Sequence, residues 1–147
     1  MKILVATNGS HDESVDPVAA ASSFPWPQGS EIRVVNVAEV MQPVMAGLGP
    51  DAIDVADLQV TSKAEAKEVA NRAAAELRQR GYRAEGVSLE GAPETAIIDY
   101  AKRWGSDLIV VGSHDRSLLE RLLLGSISQG IVKHSPCSVL VVKHNLE

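Results

Sequence analysis

Two loops carry the residues whose types and spacing could do chemistry. The fuller one is VVGSHDRSLLERLLLGSIS, residues 110–128, which runs from an apolar stretch into Gly112 and reaches Gly125 and Ser126 where a helix should begin. A glycine allows close backbone approach, and the first turn of a helix offers unpaired amides at the positive end of its dipole. That chemistry is capture of an anion, a phosphate above all, without a charged side chain. Asp115 opposes it, because a carboxylate about 4 Å from a phosphate charge costs on the order of several kcal/mol at an effective dielectric near 20. A divalent ion between the two, Mg2+ or Mn2+, reverses that sign, since Asp is a hard oxygen ligand. The same residues also suit a plain turn, with glycine as the turn device and Asp115 facing solvent or capping it.

The other loop, Thr7 to Asp12, follows the first apolar run. His11 and Asp12 here, with His114 and Asp115, would be credible transition-metal ligands if their strands were neighbours, but ordinary solvated loop residues have the same composition. His134 and His144 are expected at a helix end and in the tail. Cys137, between Pro136 and an apolar run, reads as a small core residue rather than a nucleophile. Neither GxGxxG nor Gly-Lys-Ser/Thr follows a strand, and no nucleophile, base and orienting acid can be assembled, so no enzymatic reaction is assigned.

The elements that must position these loops alternate between strand and helix. Apolar runs at residues 2–7, 31–37, 82–89, 107–111 and 138–142 predict five strands, nearly continuous in apolar character where a sheet is covered on both faces. Ser10 with Glu13 has the spacing of a capping box and predicts a first helix with Val15, Val18, Ala19 and Ser22 on one face, stopped by Pro25 and Pro27. Ser62 with Glu65 predicts a second over 61–80, with Ala66, Val69, Ala70, Ala73 and Leu77 inward and Gly81 as its stop. Pro93 opens a third that ends before Gly105, and Ser126 to His134 forms a fourth. Between the second strand and second helix, residues 41–50 form a long Met-, Gly- and Pro-containing loop. Regular alternation with right-handed crossovers implies an α/β fold, an open five-stranded parallel sheet with helices on both faces. Ligands in such folds sit beyond the carboxyl ends of the strands where strand order reverses.

At 147 residues the chain is expected to form one domain, residues 1–147, and its 45% hydrophobic and 22% charged residues suit a soluble globule. A net charge of −5 argues against general attraction to nucleic acid or an anionic membrane. A single cysteine, no signal sequence and no long apolar run make cytoplasm the expected compartment. The last strand, SVLVV, is expected at a sheet edge that needs covering.

Taken together, the stretches ILVATNGS, GAPETAI, DLIVVGSHD, LLLGSIS and SPCSVLVVK resemble the universal stress protein family over nearly the whole chain. The resemblance implies a Rossmann-like fold of the adenine nucleotide alpha-hydrolase type, a homodimer across the C-terminal strand, and, in nucleotide-binding members, a glycine, two residues, a glycine, nine residues, then glycine and serine or threonine. Gly112, Asp115, Gly125 and Ser126 fit that frame with the middle glycine replaced. By the same register Asn8 stands where the family's aspartate faces the nucleoside and Val37 near the adenine. Ala6, Val111, His114 and Ile127 fall beside the pocket. Asn8 keeps an acceptor and adds a donor. The resemblance thus implies weakened binding of ATP or another adenine nucleotide by a stress sensor or regulator, the alternative being a nucleotide-free dimeric interaction module. The stretch NGSHDES is also similar to the SGGxDS loop of pyrophosphate-releasing ATP enzymes, with its second glycine missing and its Asp-Ser pair interrupted.

Overall fold

The computed structural model describes residues 1–7, 16–38, 55–113 and 125–143, with side chains in the longest helix from Lys63 onward. Five strands and four helices alternate along them: β1 (Lys2–Ala6), α1 (Pro17–Ser23), β2 (Glu31–Ala38), α2 (Val55–Gln79), β3 (Arg83–Glu90), α3 (Pro93–Trp104), β4 (Leu108–Gly112), α4 (Ser126–His134) and β5 (Ser138–Val142). All the strands pair in parallel, in the order β3-β2-β1-β4-β5. β1 is central, with Val5 opposite Val34 on one side and Val110 on the other. The chain has the expected Rossmann-like α/β architecture.

Side chains alternate across this sheet and build two aliphatic cores. Ile3, Val5, Ile32, Val34 and Val110 pack beneath Val18 and Ala21 of α1 and Ala74 and Leu77 of α2. Leu4, Val35, Ile109 and Val111 pack on the other face against Ile97, Ile98 and Ala101 of α3 and Ile131 of α4. The central strand is buried from both sides, which explains why its sequence is continuously apolar rather than alternating. No helix among the described residues is long and apolar enough to cross a membrane.

Two helix starts differ from expectation. α1 begins at Pro17, with Asp16 in extended backbone accepting a 2.9 Å hydrogen bond from the Val18 amide. Asp16 is thus the N-cap and Pro17 supplies a preset φ at the first helical position; Ser10, Glu13 and Val15 lie outside the described residues. Its inward face is Pro17, Val18 and Ala21, while Ala19 is exposed. Asp16→Ala should cost about 1 kcal/mol of stability, read from the urea midpoint; an unchanged midpoint would mean that Pro17 alone sets the start. α2 already runs from Val55 and passes through Ser62 without interruption, burying Ala66, Ala70, Ala74 and Leu77. The expected stops hold: Gly81 and Gly105 take positive φ of 92° and 78° behind α2 and α3. The segment at 41–50 lies outside the described residues.

Candidate functional site

The crossovers from β1 and β4 diverge, since β2 and β3 lie to one side of β1 and β4 and β5 to the other. This reversal opens a crevice at the carboxyl ends of the strands. A cleft of about 310 Å³ occupies it. Ala6 and Thr7 of the first strand end, Val35, Asn36 and Val37 of β2, and Val111 and Gly112 of β4 form one wall. Pro17, Pro93, Ile97, Ile127, Ser128 and Ile131 close it from the helices. The lining is continuous with the Leu4–Ile131 core and mostly apolar, with Thr7, Asn36 and Ser128 as its polar side chains.

Three helices begin at this cleft, but they do not offer the same chemistry. α1 opens with Pro17, which has no amide hydrogen, and its Val18 amide is taken by Asp16. α3 also opens with a proline, Pro93. α4 instead starts with Ser126, Ile127 and Ser128, whose amides precede the first intrahelical acceptor; the ladder begins with the Gln129 amide donating to the Gly125 carbonyl at 2.9 Å. Gly125 is the buried N-cap, in extended backbone at φ −60° and ψ 159°, and provides no side-chain cap. Amides without an intrahelical acceptor and the positive dipole end therefore converge at the start of α4, where an anion is favoured.

Ser128 fixes that start against the sheet. Its hydroxyl, nearly fully buried, donates a 2.6 Å hydrogen bond to the Gly112 carbonyl at the end of β4. Ser128→Ala should lower stability by about 1 kcal/mol by leaving that carbonyl without its donor. Urea unfolding measures it, and a neutral result would show that water replaces the hydroxyl. Behind the cleft, Glu94 of α3 and His134 of α4 meet at 3.1 Å, and the His134 Nδ1 also lies 3.1 Å from the Gly130 carbonyl. Both partners are acceptors, so Nδ1 carries the hydrogen. Gly130 leaves room for the Glu94 carboxylate, which a Cβ there would displace.

Of the residues singled out from sequence, Ala6, Val37, Val111, Gly112 and Ile127 line one cleft and Gly125 caps the helix above it. Asn8, His114 and Asp115, with His11, Asp12 and His144, lie outside the described residues, as does the side chain of Ser126. Among the described residues no three His, Cys, Asp or Glu side chains gather as a metal site. His134 ends α4 as expected. Cys137 is a free, half-buried thiol packed at the margin of the Leu4 core. Thr7, which opens the first of the two loops singled out, also lines the cleft, while sequence reasoning passed over Val35, Asn36, Ile97, Ser128 and Ile131. Ser128 is buried on α4 together with Ile131, and its residue type alone did not mark it.

Comparison with known proteins gives the same architecture. The model of the Universal stress protein family matches residues 1–143. The universal stress protein MJ0531 of Methanocaldococcus jannaschii is 31% identical over 142 residues, covering 97% of this chain and 81% of its own. The solved structure of the hypothetical protein MJ0577, from the same organism, superposes with a TM-score of 0.77 at 26% identity, covering 99% of this chain and 97% of that one. A universal stress protein from Archaeoglobus fulgidus in complex with dAMP shares the fold, with a TM-score of 0.65 at 21% identity and coverage of 97% and 98%.

Proposed function

The chain belongs to the universal stress protein family, and from that premise we propose that its cleft binds an adenine nucleotide, ATP or a close relative, in a sensing or regulatory role. The observation that carries this reading is the pairing of an apolar crevice with first-turn helix amides that have no intrahelical acceptor, at one switch point. The base lies against Val35, Val37 and Val111, and the phosphates reach the amides of Ser126, Ile127 and Ser128, with Gly112 allowing backbone approach. Asn8 bonds to the nucleoside and Asp115 weakens the hold on phosphate, a loss that Mg2+ or Mn2+ offsets. The dAMP complex of the Archaeoglobus fulgidus relative supports the choice of ligand class. The reading is of binding, with no turnover assigned, and its setting is the cytoplasm, with which a lone free cysteine agrees. Mass spectrometry of protein denatured directly after purification should release an adenine nucleotide. Its absence, together with no heat on titration with Mg-ATP, would remove the reading.

A second reading rests on β5. This strand is apolar yet half-exposed along most of its length, and it forms one edge of the sheet. Pairing with its copy in a homodimer would cover that edge, and the protein would then act as a nucleotide-free interaction module. Sedimentation at micromolar concentration should show a dimer; a monomer would sink the pairing. Val139 and Val141 pack toward the Leu4 core and Leu140 and Val142 toward the Val5 core. Val141→Lys is accordingly expected to damage the fold before it tests the assembly.

A further inference from the structure

We propose that the end of the molecule opposite the cleft is a docking surface for an acidic protein segment that carries apolar side chains. All five aromatic residues of the chain lie at this end. Phe24 and Trp26 stand between α1 and β2, Tyr82 precedes β3, and Tyr100 and Trp104 occupy the last turns of α3. The buried members of both cores are aliphatic, and the aromatic rings that touch the cores do so only as partly buried neighbours. Trp26, Tyr82, Tyr100 and Trp104 seal the ends of the two cores, and Phe24 is the one of the five that stands exposed and in neither core.

The aromatics form two groups at this end, Phe24, Trp26 and Tyr82 beside the Val5 core and Tyr100 and Trp104 beside the Leu4 core, and the first group is preorganised. Phe24, 40% exposed, stacks on Trp26 with ring centroids 5.2 Å apart and planes 21° from parallel. The Trp26 indole donates to the Ala21 carbonyl at 2.7 Å, and the Tyr82 hydroxyl donates to the Phe24 carbonyl at 2.9 Å. Rigid aromatic side chains with exposed area cost little entropy to dock, and Tyr, Trp, Phe and Arg are the residues enriched at protein interfaces.

Cations set the kind of partner. The Arg33 guanidinium lies 4.5 Å from the Trp104 ring centroid and donates to the Tyr100 hydroxyl at 2.7 Å, while Lys2 lies 5.7 Å from Trp104. Arg80 and Arg83, which flank Tyr82, are exposed and make no ion pair among the described residues. Three acids stand against these four cations: Glu85 is 3.9 Å from Arg33, Asp107 accepts the Lys2 amide at 2.7 Å, and Glu31 stands in register with Arg83; Arg103 beside Tyr100 adds a fifth cation. An excess of cations here, on a chain of net charge −5, selects for an acidic partner. Protein fits better than single-stranded nucleic acid, because the overall charge repels a phosphate backbone and a guanidinium already covers the Trp104 ring.

Selection of a random dodecapeptide phage library on the full chain should enrich sequences rich in Asp and Glu with Leu, Phe or Trp among them. A synthetic enriched peptide should bind at micromolar concentration in fluorescence polarisation. Its affinity should fall at least tenfold for Arg80→Glu/Arg83→Glu and for Phe24→Ser, with circular dichroism and melting temperature unchanged. Added Mg-ATP should leave peptide binding as it was, since the two sites lie at opposite ends, so this proposal and the nucleotide reading can fail separately. Enrichment of neutral or basic sequences, or equal binding by the variants, would overturn the proposal. Tighter binding of a twelve-residue oligothymidylate would assign the surface to nucleic acid instead, and self-association abolished by the same variants would assign it to a second copy of this chain.

Discussion

Asp115→Gly is expected to bind ATP at least tenfold more tightly than the wild type in metal-free buffer, with adenosine affinity nearly unchanged. The selectivity follows from charge. A carboxylate in the loop between Gly112 and Gly125 repels phosphate and does nothing to a nucleoside that has none. Tenfold corresponds to about 1.4 kcal/mol, below the roughly 4 kcal/mol of two unit charges 4 Å apart at a dielectric near 20, because solvent and salt screen such a pair. Magnesium or manganese should help the wild type more than the variant, since only the wild type offers the ion a carboxylate. Isothermal titration of both proteins with ATP and adenosine, with and without metal, measures all four arms. Equal ATP affinities would mean that the carboxylate points away from the ligand.

The largest stability loss from a single methyl group is expected at Gly86, where Gly86→Ala should lower the unfolding free energy by about 2–3 kcal/mol. Gly86 is buried in β3 beneath α2, and a Cβ there would come within 2.6 Å of the Ala70 carbonyl carbon and the Asn71 amide nitrogen. Both are backbone atoms, so no rotamer change relieves the contact and the helix itself must move. Lys67 reinforces this approach by donating a 2.7 Å hydrogen bond to the Gly86 carbonyl, which displacement of α2 would stretch. Urea unfolding followed by far-UV circular dichroism gives the value. A loss under about 0.5 kcal/mol would mean that α2 slides on the sheet at little cost.

The sheet was legible because burial on both faces writes itself into local composition. Leu4 and Val5 face opposite cores, so both had to be apolar, and the same holds for Ile109 and Val110. Pro93 and Gly105 marked α3 because a preset φ and a left-handed C-cap are properties of single residues. The starts of α1 and α2 were misread for a related reason. Ser10 with Glu13 and Ser62 with Glu65 have the spacing of a cap, but the pattern is permissive: Ser62 sits within a continuous helix, and Asp16 before Pro17 is the pair that starts α1. At the site, two single residues marked element ends, Gly112 closing β4 and Gly125 capping α4, whereas Val35, Ile97 and Ile131 meet only because three elements stack on one face. No local pattern encodes that meeting.

The position of β1 has a consequence for biosynthesis. Ile3 pairs with Ile32 on one side and with Leu108 on the other. β1, made before the other four strands, can gain its earlier neighbour soon after β2 emerges, but it keeps an open edge until β4 has been translated. Every pairing in the sheet needs a crossover, none is a local hairpin, and such contacts form slowly because long loops must close first. A nascent chain halted between β3 and β4 thus presents the backbone of Ile3, Leu4 and Val5 as a bare apolar strand, the segment that a chaperone would hold or another nascent chain would pair with. Truncation before residue 108 leaves that edge permanently unfilled, so the smallest autonomously folding fragment that starts at Met1 must include β4.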